Sequence, residues 1–181
     1  MKRFLLVATV LAVLGGLLAG AALAAGPDGP SGKSNVGHVS LFQKNPANWS
    51  IVAGGAWGKY NYKLSGTGAA TAVSGVFNGH GLVPGTNYSL IYYPEVAPSP
   101  WNPGGWLVVI LGTGTADAYG DVHIAGTGTI GGPDAQPLVG DYIGQTGDKI
   151  WLVLSNCLTG SNITGWHPTQ YLFEDNLINT P

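Results

Sequence analysis

Between residues 38 and 173 the chain rarely runs far without a glycine or a proline, and a helix does not survive that punctuation. The thirty glycines and twelve prolines are spread along the whole length, closing off short runs rich in Val, Ile, Leu, Tyr and Trp. Such spacing predicts many short strands joined by turns, over 38–42, 49–52, 56–64, 71–77, 88–93, 106–111, 121–126, 149–154 and 170–173. In "GKYNYKL", Tyr60, Tyr62 and Leu64 alternate with Lys59, Asn61 and Lys63, the pattern of a strand with one wet face. "WLVVILG" and "KIWLVLS" are apolar on both faces and belong in the middle of a layered structure. The only stretch compatible with a helix, about 168–176, is too short to count as one.

Strands need turns, and "LVPGTNY" points to a particular one. Pro84 and Gly85 supply the turn, Leu82 plugs the core, and Tyr88 opens the next strand with its ring inward and its hydroxyl free to bond the corner backbone. The motif resembles the tyrosine corner of fibronectin type III and related immunoglobulin-like domains. What it implies is an all-β, two-sheet antiparallel Greek-key sandwich, with Tyr88, Leu90 and Tyr92 on one face. More widely, the blocks "NWSIVAGGAWGKYNYKLSG", "FNGHGLVPGTNYSLIYYP", "LGTGTADAYGDVHIAG", "KIWLVLS" and "GWHPTQYLFEDNLI" resemble a family of secreted prokaryotic β domains of uncharacterised function. The likeness covers most of residues 38–178. It implies the fold and the compartment and carries no activity; Cys157 and the long "EVAPSPWNPGG" loop depart from the pattern.

The first residues place Lys2 and Arg3 before a long apolar run ending in the small-residue site Ala22-Leu23-Ala24, which reads as a secretory signal peptide over 1–25. The run is also long enough to span a bilayer, so a retained anchor is the competing reading; the small-residue end and the polar "GPDGPSGKSN" favour cleavage. Residues 26–37 read as a flexible linker and 38–178 as one β-sandwich domain. Beyond the leader five lysines and no arginine face nine acids, a net charge of −4, which argues against a nucleic-acid partner. The lone Cys157 cannot form an internal disulfide, and its apolar setting suits a small buried filler better than a link between two chains.

Few constellations in the chain carry chemistry. His80, His123 and His167 are not spaced as ligands of one metal, and Cys157 with His167 lacks the company of a copper site. Asp117 and Asp121 bracket a glycine turn; they could hold calcium, though aspartate in a turn ordinarily serves the turn itself, and Asp134, Asp141 and Asp148 lie in loops. No GxSxG or HExxH occurs, and Glu95 and Glu174 are the only glutamates, so no enzyme is expected. Asn48, Asn87 and Asn162 begin glycosylation sequons, Asn162 being the one expected to be exposed.

Tryptophan supplies the functional signal. Trp57 and Trp151 fall in strands and read as core, whereas Trp101, Trp106 and Trp166 lie in loop-like segments where flat rings can stack on sugars or anchor a protein. The expected function is a secreted, non-catalytic module, structural or adhesive, meeting protein or a second copy of itself at the cell surface. It would do so through its loops or through an exposed strand such as "QYLFEDNLI" or "HVSLF". The alternative is a carbohydrate-binding module using Trp101, Trp106 and Trp166; a third reading is a calcium-dependent hydrolase.

Overall fold

The computed structural model describes residues 36–93, 106–131 and 147–178. Seven longer strands follow the glycine punctuation: β1 (Val36–Phe42), β2 (Trp57–Ser65), β3 (Ala72–His80), β4 (Asn87–Tyr93), β6 (Val109–Thr115), β7 (Val122–Thr129) and β8 (Lys149–Leu154). Four short ones complete the set: β5 (Trp106–Leu107), β9 (Leu158–Thr159), β10 (Asn162–Ile163) and β11 (Leu172–Glu174). The all-β expectation holds. The 168–176 stretch contributes one 3-10 turn, Pro168–Gln170, and then enters β11. The strand expected over 49–52 is instead the far side of a tight turn, where Ile51 bridges Lys44 and the Val52 amide donates to the Gln43 carbonyl (2.9 Å).

Eight strands form one antiparallel sheet in the order β6-β4-β8-β11-β1-β2-β3-β7, and its two end strands curl round to pack against each other, nearly closing a barrel. The remaining strands form a small sheet, β5-β10-β9. This departs from the expected two-sheet sandwich. Residues 112–115 and 126–129 both read "GTGT", and Gly112, Gly114, Gly126 and Gly128 alternate along the facing edges of β6 and β7. A Cβ at Gly126 would run into the Leu111 carbonyl, and one at Gly128 would lie 2.6 Å from Val109 Cγ1. Without side chains there, the end strands of a twisted sheet can meet. A register shift beside Leu90 leaves Leu111 unpaired and bends β6 toward the seam. The segment "GTADAYGDVHIAGT", expected as a hairpin, does connect adjacent strands, but β6 is laddered to β4 and β7 to β3.

The interior is filled as an eight-stranded barrel should be. Val39, Leu41, Tyr60, Tyr62, Val73, Phe77, Leu90 and Ile124 are all buried within it. Gly58 and Gly79, directly opposed on β2 and β3, leave the room that the Phe77 ring occupies. Outside, β2 shows Lys59, Asn61 and Lys63 to solvent, as its alternation predicts. β8 is buried on both faces as expected, and so is most of β4, but the 106–112 run expected to match β8 is divided between β5 and β6 and leaves Ile110 exposed; the layer outside β8 and the neighbouring β11 is made of loops rather than a second large sheet.

β1 and β11, the strands expected to offer an edge to a partner, lie inside the sheet: β1 is paired with β11 and β2, β11 with β8 and β1. Leu41, Phe42 and Phe173 are thus laddered on both sides, whereas the pairing of β1 with β11 does not extend to Val36–Ser40. The tyrosine corner does form. Tyr88 is buried, its hydroxyl accepts a hydrogen bond of 3.2 Å from the Val83 amide, Leu82 is buried beside it, and Gly85 takes the positive φ of 72° that the turn requires. Here the corner carries the chain between β3 and β4, across the end of a nearly closed sheet. Residues 1–25, expected as a signal peptide, and the linker up to residue 35 lie outside the described residues.

A candidate binding surface of half-exposed tryptophans

Two loops meet outside β8 and β11, and each brings a tryptophan. The first, 44–51, turns on Asn45: its carbonyl accepts the amides of Trp49 (2.7 Å) and Asn48 (3.3 Å), its side-chain oxygen accepts the Ala47 amide (2.9 Å), and its own amide bonds Ser50 (2.8 Å). Asn48 Oδ1 in turn accepts the Ser50 amide and hydroxyl at 3.1 and 2.8 Å. Held this way, Trp49 has φ +58°, the only non-glycine residue at positive φ among the described residues. For a bulky side chain that backbone is strained.

The second loop carries Trp166 between β10 and β11. The Tyr171 hydroxyl donates 2.8 Å to the Gly165 carbonyl, and Thr164 closes on the Cys157 carbonyl through its amide (2.8 Å) and hydroxyl (3.2 Å). Cys157 is buried beneath this loop, as expected of a filler, and Gly165 is required there because a Cβ would lie 2.8 Å from its sulfur. Burial raises the Tyr171 hydroxyl above the usual tyrosine range, and the neighbouring Cys157 thiol adds to the shift. Gln43 ties the loops together, donating to the Thr169 carbonyl (2.7 Å) and accepting from the Ala56 amide (3.2 Å).

Where the loops meet, the Trp49 and Trp166 rings lie 6.3 Å apart at 47°. Trp49 stands edge-on to Phe173 at 5.1 Å, Trp166 packs 6.0 Å from Trp151, and Trp151 in turn lies 4.6 Å from Tyr93. Phe173 and Trp151 are buried under this cover, whereas Trp49 and Trp166 remain 39 % and 37 % exposed. The result is two aromatic facets, backed by a rigid aromatic bed and open to solvent.

The expected site residues distribute unevenly around this surface. Trp166 belongs to it. Trp101 lies outside the described residues, and of Trp106 only the backbone, in β5, is described. Trp49, expected in a strand, is the contributor that sequence reasoning missed; the signal available was its place in "KNPANWSI", a cluster of turn formers. Trp151 is core as expected, but Trp57 is 47 % exposed: it points to the wet side of β2, and its ring packs on His80 at 4.8 Å.

The calcium expectation at Asp117 and Asp121 meets a different geometry. Asp117 Oδ1 accepts the amides of Tyr119 (2.8 Å) and Asp121 (3.0 Å), which hold its carboxyl below the usual range, and Asp121 Oδ1 lies 2.8 Å from His80 Nδ1. The two carboxylates serve the turn and a histidine. Among the described residues no three His, Cys, Asp or Glu side chains are gathered to hold a metal ion. Asp148 is buried, while Asp134 and Asp141 lie outside the described residues. Of the sequons, Asn48 and Asn87 are exposed, and Asn162, expected to be the most exposed, is half-buried in the middle strand of the small sheet. No protein-family model, curated protein or solved structure matches the chain.

Proposed function

We propose that this protein is a secreted, non-catalytic binding module that takes a polysaccharide on the Trp49–Trp166 surface. The observation that carries the reading is Trp49 itself. A bulky residue at positive φ costs roughly 1–3 kcal/mol, and the side chain held this way packs on Phe173 and Trp166 yet stays 39 % exposed, so the strained turn presents an aromatic face to solvent. Rings fixed by their backing offer large contact area with little rotamer entropy left to lose on binding. Two facets set at 47° suit a chain that turns between successive sugar rings better than a single flat ligand. The adhesive reading would use loops or a strand edge, and β1 and β11 both lie inside the large sheet rather than at its ends. Secretion rests on the leader at 1–25, with its cations, apolar run and Ala22-Leu23-Ala24.

Titrating the purified protein with soluble polysaccharides while following tryptophan emission tests the reading. Saturable quenching is expected, with Trp49→Ala or Trp166→Ala weakening binding about tenfold, equivalent to about 1.4 kcal/mol. Assembly of the protein on itself with no response to any polysaccharide would return the function to the adhesive class.

A further inference from the structure

We infer that Trp57, with the His80–Asp121 pair beside it, forms a second subsite for the same glycan, so that the bound chain runs across the strands from the Trp49–Trp166 facets to β2 and β3. The inference rests on the polysaccharide reading and specifies how the ligand lies.

Strand register supplies the path. Trp57 is directly opposite Phe42, Phe42 opposite Phe173, and Phe173 opposite Trp151. Directly opposed residues share a face, so these four rings form one outward row along a single level of the sheet. Neighbouring strands lie about 4.8 Å apart, which puts Trp57 roughly 10 Å from Phe173, where Trp49 stands edge-on. A ligand on the tryptophan facets that continued along this row would meet Trp57 next.

Trp57 also stands out on its own strand. Every other outward position of β2 is Lys, Asn or Ser, and nearly half of this ring is in solvent. Its neighbour supplies polar chemistry. His80 is opposite Trp57 in the ladder, and its ring packs on the indole at 4.8 Å and 38°. Asp121 fixes that ring from β7's end of the sheet through the 2.8 Å contact to Nδ1, and the two side chains are 44 % and 52 % exposed. That contact leaves the histidine's Nε2 and the second carboxylate oxygen facing ligand hydroxyls. An aromatic face flanked by a fixed donor or acceptor pair is the pairing a sugar ring requires, with its apolar C–H face on one and its hydroxyl edge on the other.

Calorimetric titration with cello- and chito-oligosaccharides, from disaccharide to hexasaccharide, tests this. Affinity should rise with chain length in the unaltered protein. Trp57→Ala and Asp121→Asn should remove that rise, weakening the hexasaccharide about fivefold or more while leaving the disaccharide unchanged, and Trp57→Phe should retain most of it. If Trp49→Ala weakens the hexasaccharide and Trp57→Ala does not, the second subsite is refuted and the first stands. If Trp57→Ala weakens every length equally and lowers the melting temperature, its role is structural and the inference fails. If no oligosaccharide binds the unaltered protein, the inference and the ligand class fall together.

Discussion

Tyr88 ties down the chain where it crosses from β3 to β4. Its ring lies in the core and its hydroxyl accepts the Val83 amide, so side chain and corner are fixed by one residue. Replacing it with phenylalanine keeps the ring and removes the acceptor, leaving a partly buried amide without its partner. Tyr88→Phe should lower the unfolding free energy by about 1 kcal/mol in urea titration, with the m-value unchanged; no loss would mean that water replaces the hydroxyl at no cost. This residue was legible in advance because the corner is local: proline, glycine and tyrosine at fixed spacing define it. Trp49 was not. Its exposure depends on Phe173, which is 124 positions away in sequence but only 5.1 Å away in the fold.

At the scale of elements, the seam between β6 and β7 decides the architecture. Both strands carry glycine at alternate positions where they meet, and a Cβ at Gly126 would collide with the Leu111 carbonyl, a backbone atom that cannot swing away. Gly126→Ala should therefore cost about 3 kcal/mol, whereas Thr127→Ala, one residue along on the exposed face, should stay within about 1 kcal/mol. Equal stabilities for the two variants would mean that the end strands do not approach closely. Most of the longer strands were readable from alternation and from glycine and proline. Their pairing was not, because the repeated "GTGT" can mark a bend, a weak strand or a close approach, and only the partner's position chooses among them. The short β9 and β10 gave no signal at all, being two residues each and set by tertiary contacts.

The whole molecule is built around rings held in a nearly closed sheet, and this makes it sensitive to alkali. Burial, and then the neighbouring Tyr62, pushes the Tyr60 hydroxyl well above the usual tyrosine range; burial also raises Tyr88, with the Val83 amide opposing. A group whose folded value is raised binds its proton more tightly in the fold. Its contribution to stability is complete below the unfolded value, about pH 10, and is lost as pH rises through the folded one. Stability should thus show no loss from these groups through neutral pH and decline beyond about pH 10, with buried tyrosinate absorbance appearing only as the near-ultraviolet dichroism disappears. Full tyrosine titration at ordinary values in an intact fold would contradict this. By itself the sequence determined strand content, the wet face of β2, the tyrosine corner and the burial of Cys157, since each depends on neighbours a few residues away and on the two-residue period of a strand. The tertiary structure alone decided that the sheet curls toward closure, that β1 and β11 lie inside it, and that Trp49, Trp166 and Trp57 remain at the surface. Those outcomes depend on which distant backbone approaches which glycine, and on which loop covers an otherwise apolar outer face; residue spacing along the chain encodes neither.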